Sequence, residues 1–147
     1  MKVETYITSH WHKGICGFGA VFTDEEGNFF AENSGHRPDE ENLNELGGMV
    51  YAVIASVYGA DRIGATELTM HCQNNEMIDT IIENPENELL LKRLHGYLDK
   101  MSEKMQILFE WDNKAEKSKP YFVKADFLSK SEAMRLLHKF EGKENER

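Results

Sequence analysis

Four side chains of metal-ligating type stand at the ends of two strand-like runs: His10 and His12 after "KVETYIT", and His71 and Cys72 closing "ATELTMHCQ". Imidazole, thiolate and carboxylate suit Zn²⁺ better than Mg²⁺, so a convergence of these residues would make a zinc site. The spacing argues against it, because no pair follows a standard zinc-ligand interval. His10 and His12 read as loop residues and Cys72 as a small buried strand residue. A second possible chemistry is phosphate binding. The segment "KAEKSKPYFVK" gathers Lys114, Lys117, Lys119 and Lys124, which form either a phosphate clamp or a solvated Lys-rich loop. A third is base stacking on Trp11 or Trp111. Trp11 sits in a loop, where it is either exposed or packed under its own turn, and is the better candidate of the two for an exposed aromatic; Trp111 ends an apolar strand and is expected in the core.

The elements that position these residues follow from periodicity. Lys2–Thr8, Gly17–Asp24 and a run through Phe29 and Phe30 read as three strands. A less regular turn, His10 to Gly14, separates the first two, and Glu26-Gly27-Asn28 separates the second from the third. Leu43, Leu46, Val50, Val53, Ile54 and Val57 then recur at helical spacing. Asp39, Glu40 and Glu41 are expected at that helix's N-terminus, where the macrodipole favours acids, and Gly59 at its stop. Gly47 and Gly48 inside it cost roughly 1 kcal/mol each against Ala, which points to close packing on a strand. Glu67–Cys72 reads as a fourth strand and Met105–Trp111 as a fifth. Between them lie a short helix ending near Pro85 and another with Leu90, Leu94, Leu98 and Met101 on one face. A closing helix within "KADFLSKSEAMRLLHKFEG" carries Ala133, Leu137 and Phe140 as its stripe, with Ser129 and Glu132 as a capping box. The order β-β-β-α-β-α-α-β-α implies an α/β protein with a mixed sheet covered by helices. Residues 1–141 are expected to form a single domain and residues 142–147 a frayed tail.

The 147 residues suit one domain with a real core. The formal charge of −9 argues against a general polyanion binder. That charge is uneven: Met1–Leu91 holds 16 acids and 4 bases, whereas Lys92–Arg147 holds 10 acids and 13 bases. Nucleic-acid contact is therefore expected through the second part, and the acidic first part suits a protein partner equally well. No apolar run approaches the roughly 20 residues that span a bilayer, and "MKVETYI" lacks the apolar segment of a signal peptide. The expectation is a cytoplasmic protein without membrane contact, its thiols Cys16 and Cys72 reduced.

The element order, together with "GFGAVF" and "NLNELGGMVYAVIAS", resembles the ribonuclease H family over Lys2 to about Phe140. The resemblance implies a five-stranded mixed sheet ordered 3-2-1-4-5 with helices on both faces. It also implies metal-dependent cleavage of RNA in RNA–DNA hybrids, in which four carboxylates hold two divalent ions that activate water and stabilise the leaving oxygen. Those four positions fall on Thr8, Glu45, Cys72 (or the neighbouring His71) and Asp126, so Glu45 and Asp126 match the pattern while Thr8 and Cys72 replace acids. The resemblance places Asp126 at the start of the closing helix and gives Asn42, with Asn44, contacts to the nucleic acid; read from the residues alone, Asn42 is first an N-cap or helix-start residue. The histidine the family often carries in the loop before its last carboxylate has no counterpart in Asp112–Tyr121.

Threonine is a weak neutral ligand and a thiol is a poor one for Mg²⁺. The expected function is thus a ribonuclease H-like domain with a degenerate site, non-catalytic, which binds nucleic acid or protein and needs no cofactor. One alternative is an active nuclease using Mg²⁺ or Mn²⁺ on Glu45, Asp126 and altered ligands. Another is a structural or oligomerising domain. Glu4 lies too far down its strand to replace the first acid, and Glu76 and Asp79 could reach the site only if their helix bends inward.

Overall fold

A computed structural model describes residues 1–83, 88–112 and 118–145, the last ten of these as backbone only. The elements are β1 (Lys2–His12), β2 (Ile15–Thr23), β3 (Phe29–Pro38), α1 (Glu45–Arg62), β4 (Glu67–Cys72), α2 (Asn75–Glu83), α3 (Leu89–Met101), β5 (Gln106–Trp111) and α4 (Lys119–Asn145). They form a five-stranded sheet in the order β3-β2-β1-β4-β5. β1–β2 and β2–β3 are antiparallel, while β1–β4 and β4–β5 are parallel. This is the mixed sheet that the sequence pattern implies.

Alternation along the strands sends side chains to two helical layers. Val3, Ile7, Leu68, Met70 and Cys72 face α1, α2 and α3, where they pack with Val50, Val53, Val57, Ile81, Leu91 and Leu94. Tyr6 and Val21 face α4 and pack with Phe122 and Ala125. Two glycines let α4 settle directly on β2. A Cβ on Gly17 would overlap the Ser129 carbonyl oxygen and stand 2.5 Å from Ala133 N, and one on Gly19 would lie 2.5 Å from Ala125 O. The expected close packing of α1 is also present, since a Cβ on Gly48 would lie 2.9 Å from Gly17 O and 2.9 Å from Ser9 Cβ.

Several boundaries differ from expectation. β1 continues to His12, so His10, Trp11 and His12 are strand residues, and the turn shrinks to Lys13-Gly14 with φ 47° and 83°. Two positive φ values in a two-residue turn match the twist of a hairpin. β3 runs on to Pro38. α1 starts only at Glu45, because Asn42 and Asn44 have φ 56° and 57° and interrupt helical backbone. The three acids before it therefore do not sit on its first turn. Asp39 instead accepts from Leu43 N and Asn44 N at 2.8 and 2.9 Å, and Glu41 accepts from Leu89 N and Leu90 N, capping α3.

Gly59 does not end α1, which reaches Arg62; its missing Cβ leaves room for the Phe22 ring, and Gly64 with φ 77° follows the helix end. α4 begins five residues earlier than expected, at Lys119, with Pro120 in its first turn, where the absent N–H is no loss. Ser129 and Glu132 thus lie inside the helix and form no capping box. Ser129 is fully buried, and Glu132 reaches His36 Nδ1 at 2.8 Å. Trp111 is 51 % exposed, contrary to the expected core position, because β5 is an edge strand with little cover. Trp11, at 38 %, is exposed, the first of its two expected placements.

Candidate functional site

The parallel pair β1–β4 ends beside the N-terminus of α1, and α4 crosses above. Between them lies a cleft of about 140 Å³ lined by Thr8, Ser9, Glu45, Met49, Cys72, Gln73, Asn74, Met77 and Asp126, with Ile7 at its floor. The chain thus brings Thr8, Glu45, Cys72 and Asp126 together from four separate elements. Asp126 arrives from about two turns inside α4 rather than from its start.

Each of the four side chains has its own environment. Thr8 is nearly buried, and its hydroxyl donates to Ser129 Oγ at 3.0 Å; Ser129 Oγ donates in turn to Asp126 O. Cys72 is 1 % exposed, its sulfur 3.9 Å from Met49 Sδ and accepting from Asn74 N at 3.4 Å. Burial pushes its thiol pKa up, which keeps the sulfur protonated. Glu45 is the first residue of α1 and is exposed. Its carbonyl accepts from Ser9 Oγ at 2.7 Å, which ties the helix end to β1. Asp126 is ion-paired with Lys130 Nζ at 3.0 Å, one helical turn on. That partner was readable as an i,i+4 pair in the sequence. Gln73, Asn74 and Met77 line the cleft as well; without the fold, nothing in their spacing marks them.

The other candidates are placed elsewhere. His71 and Cys72 point to opposite faces of β4, so the convergence with His10 and His12 does not form. His71 stacks on Tyr6, with ring centroids 4.6 Å apart and planes 8° off parallel. Its Nε2–H donates to Glu4 Oε1 at 2.8 Å, and its Nδ1 lies 3.4 Å from Asp112 Oδ2. Glu4 is thereby occupied on the α4 face. Among the described residues no group of three or more His, Cys, Asp or Glu side chains has metal-binding geometry. Glu76 and Asp79 are exposed on α2 and do not line the cleft. Asn42 is exposed in the turn before α1. Lys124 turns towards β3, its Nζ 3.8 Å from the Phe29 ring centroid and 3.9 Å from Glu32 Oε1. Lys119 is exposed at the start of α4, while Lys114 and Lys117 fall outside the described residues.

The architecture has solved counterparts. The N-terminal RNase H domain of rv2228c from Mycobacterium tuberculosis, solved as a fusion with maltose binding protein, superposes with a TM-score of 0.74 at 17% identity over 94% of this chain and 97% of that one. LC11-RNase H1, isolated from compost by a metagenomic approach and solved in complex with an RNA/DNA hybrid, gives 0.73 at 16% identity over 92% and 99%. RNase H1 from the halophilic archaeon Halobacterium salinarum NRC-1 gives 0.71 at 14% identity over 90% and 97%. No family model matches the sequence, and no curated protein matches it. The chain has the ribonuclease H-like fold. Among the described residues no helix is long and apolar enough to cross a membrane.

Proposed function

We propose that this domain binds nucleic acid across the face carrying the Thr8–Glu45–Cys72–Asp126 cleft and does not cut it. The observation that carries the reading is the state of the two strand positions, Thr8 on β1 and Cys72 on β4. The Thr8 hydroxyl is committed to Ser129, and the Cys72 thiol is buried against Met49. Neither offers an anionic oxygen to the cleft.

This donor set does not fit a pair of Mg²⁺ ions. Hard cations need several oxygen ligands with enough negative charge to offset their dehydration. Here Glu45 is the one carboxylate of the four positions without an ion-pair partner among the described residues, since Asp126 faces Lys130. A protonated thiol is a poor ligand for either ion. The hybrid bound to LC11-RNase H1 supports RNA–DNA hybrid as the ligand class. Binding of a protein partner and a purely structural role compete with this reading, as does cleavage through a single ion on Glu45 and Asp126.

The test is a labelled RNA–DNA hybrid, offered at low salt where electrostatic contributions are strongest, with Mg²⁺ or with Mn²⁺. Retardation of the intact hybrid without product is the expected result. Product formation that disappears in Glu45→Ala would establish the nuclease instead, and no binding of any nucleic acid would favour the structural role.

A further inference from the structure

The cleft does not end at Glu45. It opens past Glu45 and Met77 into a wider groove of about 530 Å³ lined by Trp11, Leu43, Asn44 and Leu46. Among these residues Glu45 is the single ionised group. A phosphate there would meet a carboxylate and no cation. A neutral, planar, aromatic group would meet an exposed indole and a thioether on an apolar floor. The rim adds a hydrogen-bonding side chain that has no partner among the described residues. Asn44 occupies the N-cap position of α1, yet its side chain makes no cap hydrogen bond. Capping requires an extended backbone at that residue, whereas Asn44 has φ 57°. The amides a cap would take are given to main-chain oxygens, Leu46 N to Leu43 O and Gly47 N to Asn44 O. The Asn44 carboxamide therefore presents one donor and one acceptor side by side, the pattern that pairs with the edge of a nucleobase.

We propose that this groove takes a single unpaired nucleobase, stacked on Trp11 and held at its edge by Asn44. The inference rests on the nucleic-acid reading above and refines it: the preferred ligand is a hybrid with one base turned out of the helix beside the cleft. Stacking on an aromatic side chain tolerates any base, so the preference is for unpaired over paired rather than for a sequence.

The experiment measures fluorescence anisotropy of three labelled hybrids: one fully paired, one with a single unpaired base in the RNA strand and one with it in the DNA strand. The expected result is roughly tenfold tighter binding of at least one unpaired-base hybrid, the RNA and DNA arms showing which strand supplies the base. Trp11→Ala should remove that preference while leaving affinity for the paired hybrid within about twofold, and Trp11→Phe should keep most of it. In a Trp111→Phe background Trp11 is the sole indole of the chain, and its emission should be quenched by the unpaired-base hybrid alone. Equal binding of all three hybrids overturns this inference and leaves the nucleic-acid reading standing. So does a Trp11→Ala loss that is the same for all three. Failure to bind any of them overturns both.

Discussion

Thr8 Oγ1 donates to Ser129 Oγ at 3.0 Å, joining the middle of β1 to the interior of α4 across 121 residues of chain. Ser129 Oγ donates its own hydrogen bond to Asp126 O at 3.0 Å. The position to which the sequence resemblance assigns a metal ligand is part of the seam between sheet and helix. Thr8→Val keeps the shape and removes the donor. Ser129 retains its bond to Asp126 O, so the expected loss is roughly 0.5–1.5 kcal/mol of unfolding free energy. Hybrid affinity should not move. Urea denaturation beside a binding titration checks both, and a large affinity loss with unchanged stability would give Thr8 a direct role in binding.

Placing acids at both positions tests the same seam from the other side. Thr8→Asp with Cys72→Asp adds two carboxylates next to Glu45 and Asp126. The added like charges should destabilise the metal-free protein by roughly 1–3 kcal/mol, and millimolar Mg²⁺ or Mn²⁺ should recover part of that through preferential binding to the native state. Isothermal titration should detect ion binding in the double variant and none in the unaltered chain. Equal ion binding by both would refute the argument that the present donor set is inadequate.

Much of this fold was legible. Alternation placed the strands, and the 3.6-residue stripe from Leu43 to Val57 placed the long helix that brings Glu45 to the cleft. What escaped were features whose partners lie far away in sequence. Glu41 looked like a dipole complement to α1, but its partners, Leu89 N and Leu90 N, are 48 and 49 residues on. Ser129 looked like a cap because Ser-x-x-Glu is a local signal; its burial depends on Gly17. The true start of α4 did have a local mark, Pro120 after Ser118, masked by the surrounding lysines. Of the cleft, the four positions were readable by resemblance alone. The Trp11 groove was not readable at all, since it requires β1 to run four residues further than the pattern suggests.

Gly17 and Gly96 make a matched pair for the packing argument. A Cβ on Gly17 would press into the α4 backbone at Ser129 O and Ala133 N, which cannot yield without lifting the helix. Gly17→Ala should cost about 3 kcal/mol or more. Gly96 lies within α3 and a Cβ there meets nothing within 4 Å. Gly96→Ala should stabilise by roughly 0.5–1 kcal/mol, because alanine loses less backbone entropy in a helix. Thermal unfolding of the two single variants reads the contrast directly. A mild effect at Gly17 would mean α4 sits higher on β2 than described.

The long-range cap on α3 can be isolated with Glu41→Ala. The carboxylate accepts from Leu89 N and Leu90 N at 2.8 and 3.0 Å, so its removal leaves both donors to solvent and deletes a negative charge at a helix N-terminus. The expected cost is about 1–2 kcal/mol. Hydrogen exchange should show lost protection concentrated in the first turn of α3, with the sheet unaffected. Glu41→Gln, which keeps an acceptor oxygen, should recover part of that protection. Uniform loss across the protein would point to a different role for Glu41.

The two buried thiols contribute to the alkaline limb of stability. Burial, with the Asp39 carboxylate adding to it, pushes Cys16 from 9.0 up to about 11, and burial raises Cys72 as well. Below the ordinary thiol value both native and unfolded chains keep these protons, and their contribution to stability is fully present. Between that value and about 11 for Cys16 the unfolded chain releases the proton while the native chain holds it. The native state then binds more protons, so the unfolding free energy falls as pH rises, by roughly 3 kcal/mol over the whole window for Cys16. Cys16→Ala removes one such group. It should lower stability near neutrality by opening space beside Gly47, but flatten the decline between about pH 9 and about pH 11. Denaturant unfolding of both proteins at a series of alkaline pH values measures the two slopes, which cancels the tyrosines and lysines common to both. Parallel slopes would show that the Cys16 thiol ionises as readily in the folded chain as in the unfolded one.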